Sequence, residues 1–286
     1  MKRLIPLLLV LSFFTATSQN FKSWKYLDRY YSLQVGTGKN IYFGELKHNY
    51  KLQEGLSHVN VGVEARLTSR LAARSELYGF ILNGNDNKAA DSTYARQRNL
   101  SFNSVNAELN LQAVFFFKSY NGDFYRRDPF DPYITGGIAM TYFSPRAKYQ
   151  GETYKLREFN TEGVNYAPIT MAFPIALGVK LRMNEFINFN IEASYRITLT
   201  DYLDDVSATF PTSIGDTLRA ALSNRKDEVG VVNQQAYDQL SAGGPRGNPR
   251  NNDHYFFLSF KVEFFLPPGF FSGGGKGALI KKSDVN

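Results

Sequence analysis

The chain has 286 residues and no cysteine, which excludes disulfides, thiolate metal sites, cysteine nucleophiles and a lipid anchor on an N-terminal cysteine. Lys and Arg total 33 against 26 Asp and Glu, a formal net charge of +7 dispersed along the chain, so there is no basic stripe of the nucleic-acid-binding kind. Aromatic residues make up 15% while the mean hydropathy is −0.33, a combination that suits strands showing only one face to lipid.

The chain opens Met1-Lys2-Arg3, runs apolar from Leu4 to Phe14, and continues with the small residues Ala16, Thr17 and Ser18. That pattern predicts a signal peptide over 1–18, cut to leave Gln19 first, and hence an exported protein. The apolar run is too short to cross a bilayer as a helix, and no later segment reaches about 18 consecutive apolar residues.

Eight segments then alternate with period two, the signature of strands with one apolar face. They are 30–43, 58–68, 71–82, 103–117, 132–143, 169–182, 186–200 and 254–266. The alternation is cleanest in two of them. Val105, Ala107, Leu109, Leu111, Ala113, Phe115 and Phe117 interleave with Asn106, Glu108, Asn110 and Gln112. Ile187, Phe189, Ile191, Ala193, Tyr195, Ile197 and Leu199 interleave with Asn188, Asn190, Glu192, Ser194, Arg196 and Thr198. In 132–143 one face carries Ile134, Gly136, Ile138, Met140 and Tyr142 and the other is small, which leaves open which face points outward. Globular strands are typically about 5–6 residues long, whereas about 9–11 tilted residues cross a membrane, and these segments match the longer value.

Connections sort by length. Those near 69–70 and 183–185 are short and 118–131 is intermediate, while 44–57, 83–102, 144–168 and 201–253 are long. With both termini in the periplasm, every long link falls outside. The sequence therefore predicts an all-β fold: an eight-stranded antiparallel transmembrane β-barrel over 19–266, with long extracellular loops, short periplasmic turns and a periplasmic C-terminal tail over 267–286. Aromatics near the strand ends read as two lipid-facing girdles: Tyr30, Tyr31, Phe117, Tyr133, Phe186 and Phe189 at one end, and Tyr42, Phe43, Phe102, Tyr142, Phe143, Tyr202, Tyr255 and Phe256 at the other. The plainer reading is the general β-propensity of aromatic residues.

The inward face carries Glu64, Arg66, Arg74, Glu76, Glu108, Lys180, Arg182, Glu192, Arg196, Lys261 and Glu263. Eight strands enclose just enough space for side chains to fill, so charges of both signs there predict an ion-paired plug and no aqueous channel. Asp201, Asp204 and Asp205 end one strand and His254 begins its neighbour, which brings an Asp/His cluster within reach at the outer rim. Such a cluster fits a rim hydrolase or a cation site; against it stands the ordinary use of Asp in turns and caps. Gly36-Thr37-Gly38 is followed by no Lys-Ser/Thr pair and no helix, so it is no phosphate loop. Thr217 to Ser223 reads as a short helix in the largest loop.

The link from Ser119 to Asp131 is richer than a bare turn. Phe124, Tyr125, Arg126 and Arg127 are types enriched in binding hot spots, and equally in interfacial anchoring. Phe270 and Phe271 open a Gly-rich, Lys-bearing tail and are further candidates for docking a partner.

Three stretches resemble one known family, the PorG-like outer-membrane β-barrels of the Bacteroidetes type IX secretion system. They are Val35–Leu46, with its Tyr-x-Gly-acid-Leu turn; Pro132–Ala147; and Tyr195–Ser207, which contains Thr-Asp-Tyr-Leu-Asp-Asp-Val-Ser. Gly247-Asn248-Pro249 and Asp253–Phe257 lie downstream. The resemblance covers nearly all of the expected mature chain. It implies a non-enzymatic structural component of protein transport in the outer membrane, in contact with the periplasmic ring lipoprotein and its partner, with a link to gliding motility in some members. It brings no catalytic residues, and no cofactor, metal, nucleic acid or small-molecule substrate is expected. The alternatives are a rim hydrolase and a small barrel for adhesion or envelope integrity.

Overall fold

A computed structural model describes residues 31–46, 55–119, 127–213 and 215–267. The expected signal peptide, Tyr30, Phe124, Tyr125, Arg126, Phe270 and Phe271 lie outside the described residues.

The chain forms β1 (Tyr31–Phe43), β2 (His58–Arg66), β3 (Leu71–Asn85), β4 (Ser101–Phe116), β5 (Phe130–Tyr142), β6 (Pro145–Tyr149), β7 (Glu152–Lys155), β8 (Ile169–Arg182), β9 (Ile187–Thr198) and β10 (His254–Phe265). Eight of these close on themselves in the order β3-β2-β1-β10-β9-β8-β5-β4, and β4 pairs back onto β3. Every pairing in the ring is antiparallel. Val35 faces Val262 where the first and last strands meet, and Leu77 faces Leu109 across the β3–β4 pair. The barrel is therefore an eight-stranded antiparallel one, and it leaves no free edge in the ring.

The face assignments follow the alternation. Val59, Val61, Val63, Val105, Leu109 and Leu111 point outward and stay exposed, as do Ile175 and Leu177 of β8. In β5 the outward set is Ile134, Ile138, Met140 and Tyr142. A continuous apolar exterior around a closed barrel is the surface that a bilayer covers. No helix among the described residues is long and apolar enough to cross a membrane, which says nothing of crossing by strands.

The two ends differ sharply. β1 starts and β10 ends at one of them, together with the connections after β2, β4 and β8; this is the terminal end. At the loop end three of the long connections carry structure of their own. The segment 144–168 holds the β6–β7 hairpin, which pairs with the start of β4 through Asn103 and Arg146, and the short helix α2 (Leu156–Phe159). Helix α1 (Tyr94–Arg98) lies between β3 and β4, and α3 (Thr217–Ser223) and α4 (Gln234–Gln239) lie in the largest loop. The span of α3 is the one expected; the hairpin and the other helices are too short to leave a periodic signal.

The aromatic girdles need correction. Tyr31, Phe117 and Phe186 are exposed at the terminal end and Tyr142 is exposed at the loop end. Tyr42, Phe102, Phe143, Tyr133 and Tyr255 are instead buried inside the barrel or beneath its loops. Parity decides this: Tyr255 shares its face with Ser259, Lys261 and Glu263, and Tyr42 shares its face with Ser32 and Gln34. Together with Tyr78, Phe80, Leu82 and Phe257, the rings of Tyr42, Phe102, Phe143 and Tyr255 form an apolar core in the upper barrel, which continues upward into Leu46, Leu100, Leu203, Val206 and Leu222 of the loops, while Tyr133 packs with Ala72, Val114 and Phe116 near the terminal end.

Candidate functional site

The lower and middle barrel is filled by charge. Lys180 Nζ donates to Glu64 Oε1 at 2.6 Å and to Glu263 Oε1 at 2.7 Å. Arg74 donates to Glu64 Oε2 at 2.9 Å and to Glu192 Oε2 at 2.5 Å. Lys261 Nζ completes the chain to Glu192 Oε1 at 2.8 Å and Glu76 Oε1 at 2.7 Å. One level higher, Arg196 Nε donates to Glu108 Oε1 at 3.0 Å, and the Tyr255 hydroxyl donates to the other Glu108 oxygen at 2.5 Å. All of these groups are buried. Charges taken out of water need partners on every side, and here each acid lies between two or more donors. Gly36 serves the same packing: it sits opposite Lys261, and a Cβ there would collide with the Lys261 stem and with Asn60.

The remaining candidates for the lumen lie at its terminal mouth. Arg66 stacks over the Phe116 ring at 3.6 Å, with Asp131 3.9 Å away. Arg182 lines a cavity there with Lys118, Asp128 and Asp131. Arg127 also turns into this mouth. It stacks over Phe265 at 4.1 Å and donates to the Glu185 carbonyl at 3.0 Å, leaving it 8% exposed. Arg127, a partner-contact candidate, thus lies packed at the barrel floor.

The loop end is closed by interlocking loops. Gln97 donates to the carbonyls of Lys226 (3.1 Å) and Gly230 (2.7 Å), and its side-chain oxygen accepts from the backbone of Val232 at 2.8 Å. Arg246 is buried and donates to Glu162 Oε1 at 3.0 Å and to the Ser223 carbonyl at 3.2 Å. Arg98 donates to both oxygens of Asp86, at 2.8 and 3.0 Å.

The expected Asp/His rim cluster is not assembled. Asp205 accepts from the Tyr166 hydroxyl at 2.6 Å and from Thr161, beside Arg246. His254 packs edge-on against Tyr195 and accepts at Nδ1 from the Thr198 backbone. Asp204 turns the other way, because Asp205 adopts φ 69° and the chain reverses between the two side chains.

Asp204 instead joins Glu45, Asp201 and Asp253 above the seam between β1, β10 and β9. This group combines residues far apart in sequence, and barrel closure assembles it: Phe43 pairs with His254, which brings 45 and 253 together. Carboxylate oxygens of Glu45, Asp201 and Asp253 all lie within 4.8 Å of one another. Asp253 accepts from the Tyr42 hydroxyl at 2.6 Å and from the Leu203 backbone at 2.8 Å. Asp204 Oδ1 accepts from the Val206 backbone at 2.9 Å. Burial, with neighbouring carboxylates adding to it, pushes both Glu45 and Asp201 up to about 7. Burial likewise holds Asp204 and Asp253 well above the carboxylate range, the charges of Glu45 and Asp204 respectively adding to it.

A family model described as "Domain of unknown function (DUF6089)" matches residues 58–219, more than half of the chain. No curated protein matches the sequence significantly. Among solved structures, Neisserial surface protein A is similar at 10% identity and TM-score 0.42, covering 84% of this chain and 99% of that one. The outer membrane protein OprG from Pseudomonas aeruginosa is similar at 9% identity and TM-score 0.41, covering 84% and 98%. The outer membrane enzyme PagL is similar at 12% identity and TM-score 0.33, covering 82% and 99%. The closed barrel follows from strand pairing and not from these likenesses.

Proposed function

The chain belongs to the DUF6089 family, and we propose that it is a non-enzymatic outer-membrane component of the type IX protein secretion system, anchoring or contacting the periplasmic ring. One observation supports the anchor reading: the lumen is crossed by the buried Lys180–Glu64–Arg74–Glu192–Lys261–Glu76 chain of ion pairs, in the space a conducting barrel would give to water. A barrel that conducts nothing acts through its residence in the membrane and through what its ends hold. The secretion machine is named by the resemblance of Val35–Leu46, Pro132–Ala147 and Tyr195–Ser207 to the PorG-like barrels.

In this reading the signal peptide directs export, the terminal end faces the periplasm and the capped end faces outward. The ring lipoprotein and its partner meet Phe124, Tyr125 and Arg126 of the β4–β5 link and Phe270 and Phe271 of the tail. A role in gliding motility belongs to the same proposal. A rim hydrolase lacks support, since Asp204, Asp205 and His254 point to three different neighbourhoods.

Deleting the gene should abolish export of type IX cargo, and tagged protein extracted in mild detergent should recover ring components. Normal export with no ring component recovered would end this reading.

A further inference from the structure

We propose that Glu45, Asp201, Asp204 and Asp253 form a divalent-cation site of calcium chemistry beneath the loop cap, built above the seam between the first and last strands. This departs from the expectation that the chain holds no metal.

Two independent observations carry it. The first is convergence: oxygens of three carboxylates from three separate segments lie within 4.8 Å of one another. The second is that buried oxygens are left without donors. Asp201 is 7% exposed, and among the described residues neither of its oxygens accepts a hydrogen bond of normal geometry, although the Ser207 hydroxyl stands near. Asp204 is fully buried with Oδ2 unsatisfied, the nearby Tyr42 hydroxyl donating instead to Asp253, and Glu45 Oε2 is unsatisfied as well. A buried acceptor without a donor is costly and uncommon, and here such atoms share one pocket.

Charge argues the same way. Arg98 acts on Glu45 and Asp204, but its guanidinium is already held by both oxygens of Asp86. Arg246 is held by Glu162 and Asp205. Among the described residues, the four carboxylates therefore share the pocket without a side-chain cation of their own, an arrangement a divalent ion neutralises.

The donor set selects the ion. All donors are oxygen, the chain has no cysteine, and His254 is turned away, which disfavours zinc and copper. The carboxylates are supplied by irregular loop segments on either side of β9, β10 and β1, and such a set accommodates the variable geometry of Ca2+ more readily than the strict octahedron of Mg2+. Gly44 keeps the pocket open: a Cβ there would occupy the space of the Tyr42 hydroxyl and of Asp253 Oδ1. The ion would tie the end of β1 to the segments after β9 and before β10, locking the cap onto the barrel where first and last strands meet.

The test uses the full chain in detergent, stripped with EGTA and titrated calorimetrically with CaCl2 and separately with MgCl2. One saturable Ca2+ site is expected, with weaker Mg2+ binding. The Glu45→Gln/Asp201→Asn chain should bind Ca2+ about tenfold more weakly or worse, while Asp227→Asn, at an exposed acid on the cap, should keep the wild-type affinity. Independently of any variant, Tb3+ should show tyrosine-sensitised emission through Tyr42, which donates directly to Asp253, and Ca2+ should displace it. No saturable Ca2+ binding by the wild-type chain, no Ca2+-displaceable emission, or an unchanged affinity in the folded double variant would overturn the site.

Discussion

Glu192→Gln should destabilise the barrel by about 3–5 kcal/mol, the typical cost of stripping one partner from a buried ion pair. Its position makes this the most damaging single change in the lumen. Glu192 is fully buried and joins the two halves of the chain of charges, one oxygen accepting from Arg74 and the other from Lys261. The Tyr133 hydroxyl donates to the same group at 2.8 Å. The amide keeps the shape but loses the charge, so both cations lose their shared counter-charge, and the amide NH2 turns toward one of them. Urea unfolding of the refolded barrel, followed by the mobility difference between folded and unfolded forms on gels, reads the effect. A midpoint within the error of wild type would mean that the pairs are incidental to stability.

Arg246→Met should act on the cap and spare the barrel. The guanidinium joins three loop segments: Glu162 after the β6–β7 hairpin, Asp205 after β9, and the Ser223 carbonyl at the end of α3. Methionine retains much of the stem but leaves two buried carboxylates short of a cation, at a cost of about 3–5 kcal/mol to the closed cap. Local opening has its own free energy, distinct from that of global unfolding. Limited trypsin digestion should therefore cut near Arg219, Arg225 and Lys226 far faster than in the wild type, while the urea midpoint of the barrel stays where it was. Equal resistance in the two chains would show that the apolar core under the loops closes the cap without Arg246.

Much of the barrel can be read from period-two alternation. The segment 169–182 is matched at both ends by β8, and β3 runs on past the expected 82 to Asn85 because Asn83, Gly84 and Asn85 still pair with Asn103, Phe102 and Ser101 of β4. The inward charges were equally visible, since Glu108 and Arg196 each sit on the polar face of a clean alternation. Nearness to a strand end does not place an aromatic ring in a girdle, since parity sets its face; Tyr133 and Tyr255 lie on faces their own neighbours identify as inward. The acidic pocket had no local signal. Glu45 and Asp253 become neighbours only through the register of β1 on β10, and Asp204 separates from Asp205 through one residue at positive φ. Closure of the ring, and a single backbone reversal, are tertiary facts that no window of sequence contains. The cap was obscure for a related reason: its helices are one or two turns long and are held by side-chain contacts such as Gln97 to the Lys226 carbonyl, across distant loops.

In the proposed reading the barrel is solid, a membrane anchor filled by paired charge and capped at one end. Reconstitution of the purified chain into a planar lipid bilayer under an applied potential tests this most directly. A filled barrel should leave the bilayer silent even when insertion is verified by protease protection of the strands. Stepwise currents in the nanosiemens range from the wild-type chain would contradict it, because such currents require a continuous water path through the space occupied by Arg74, Glu192 and Lys261.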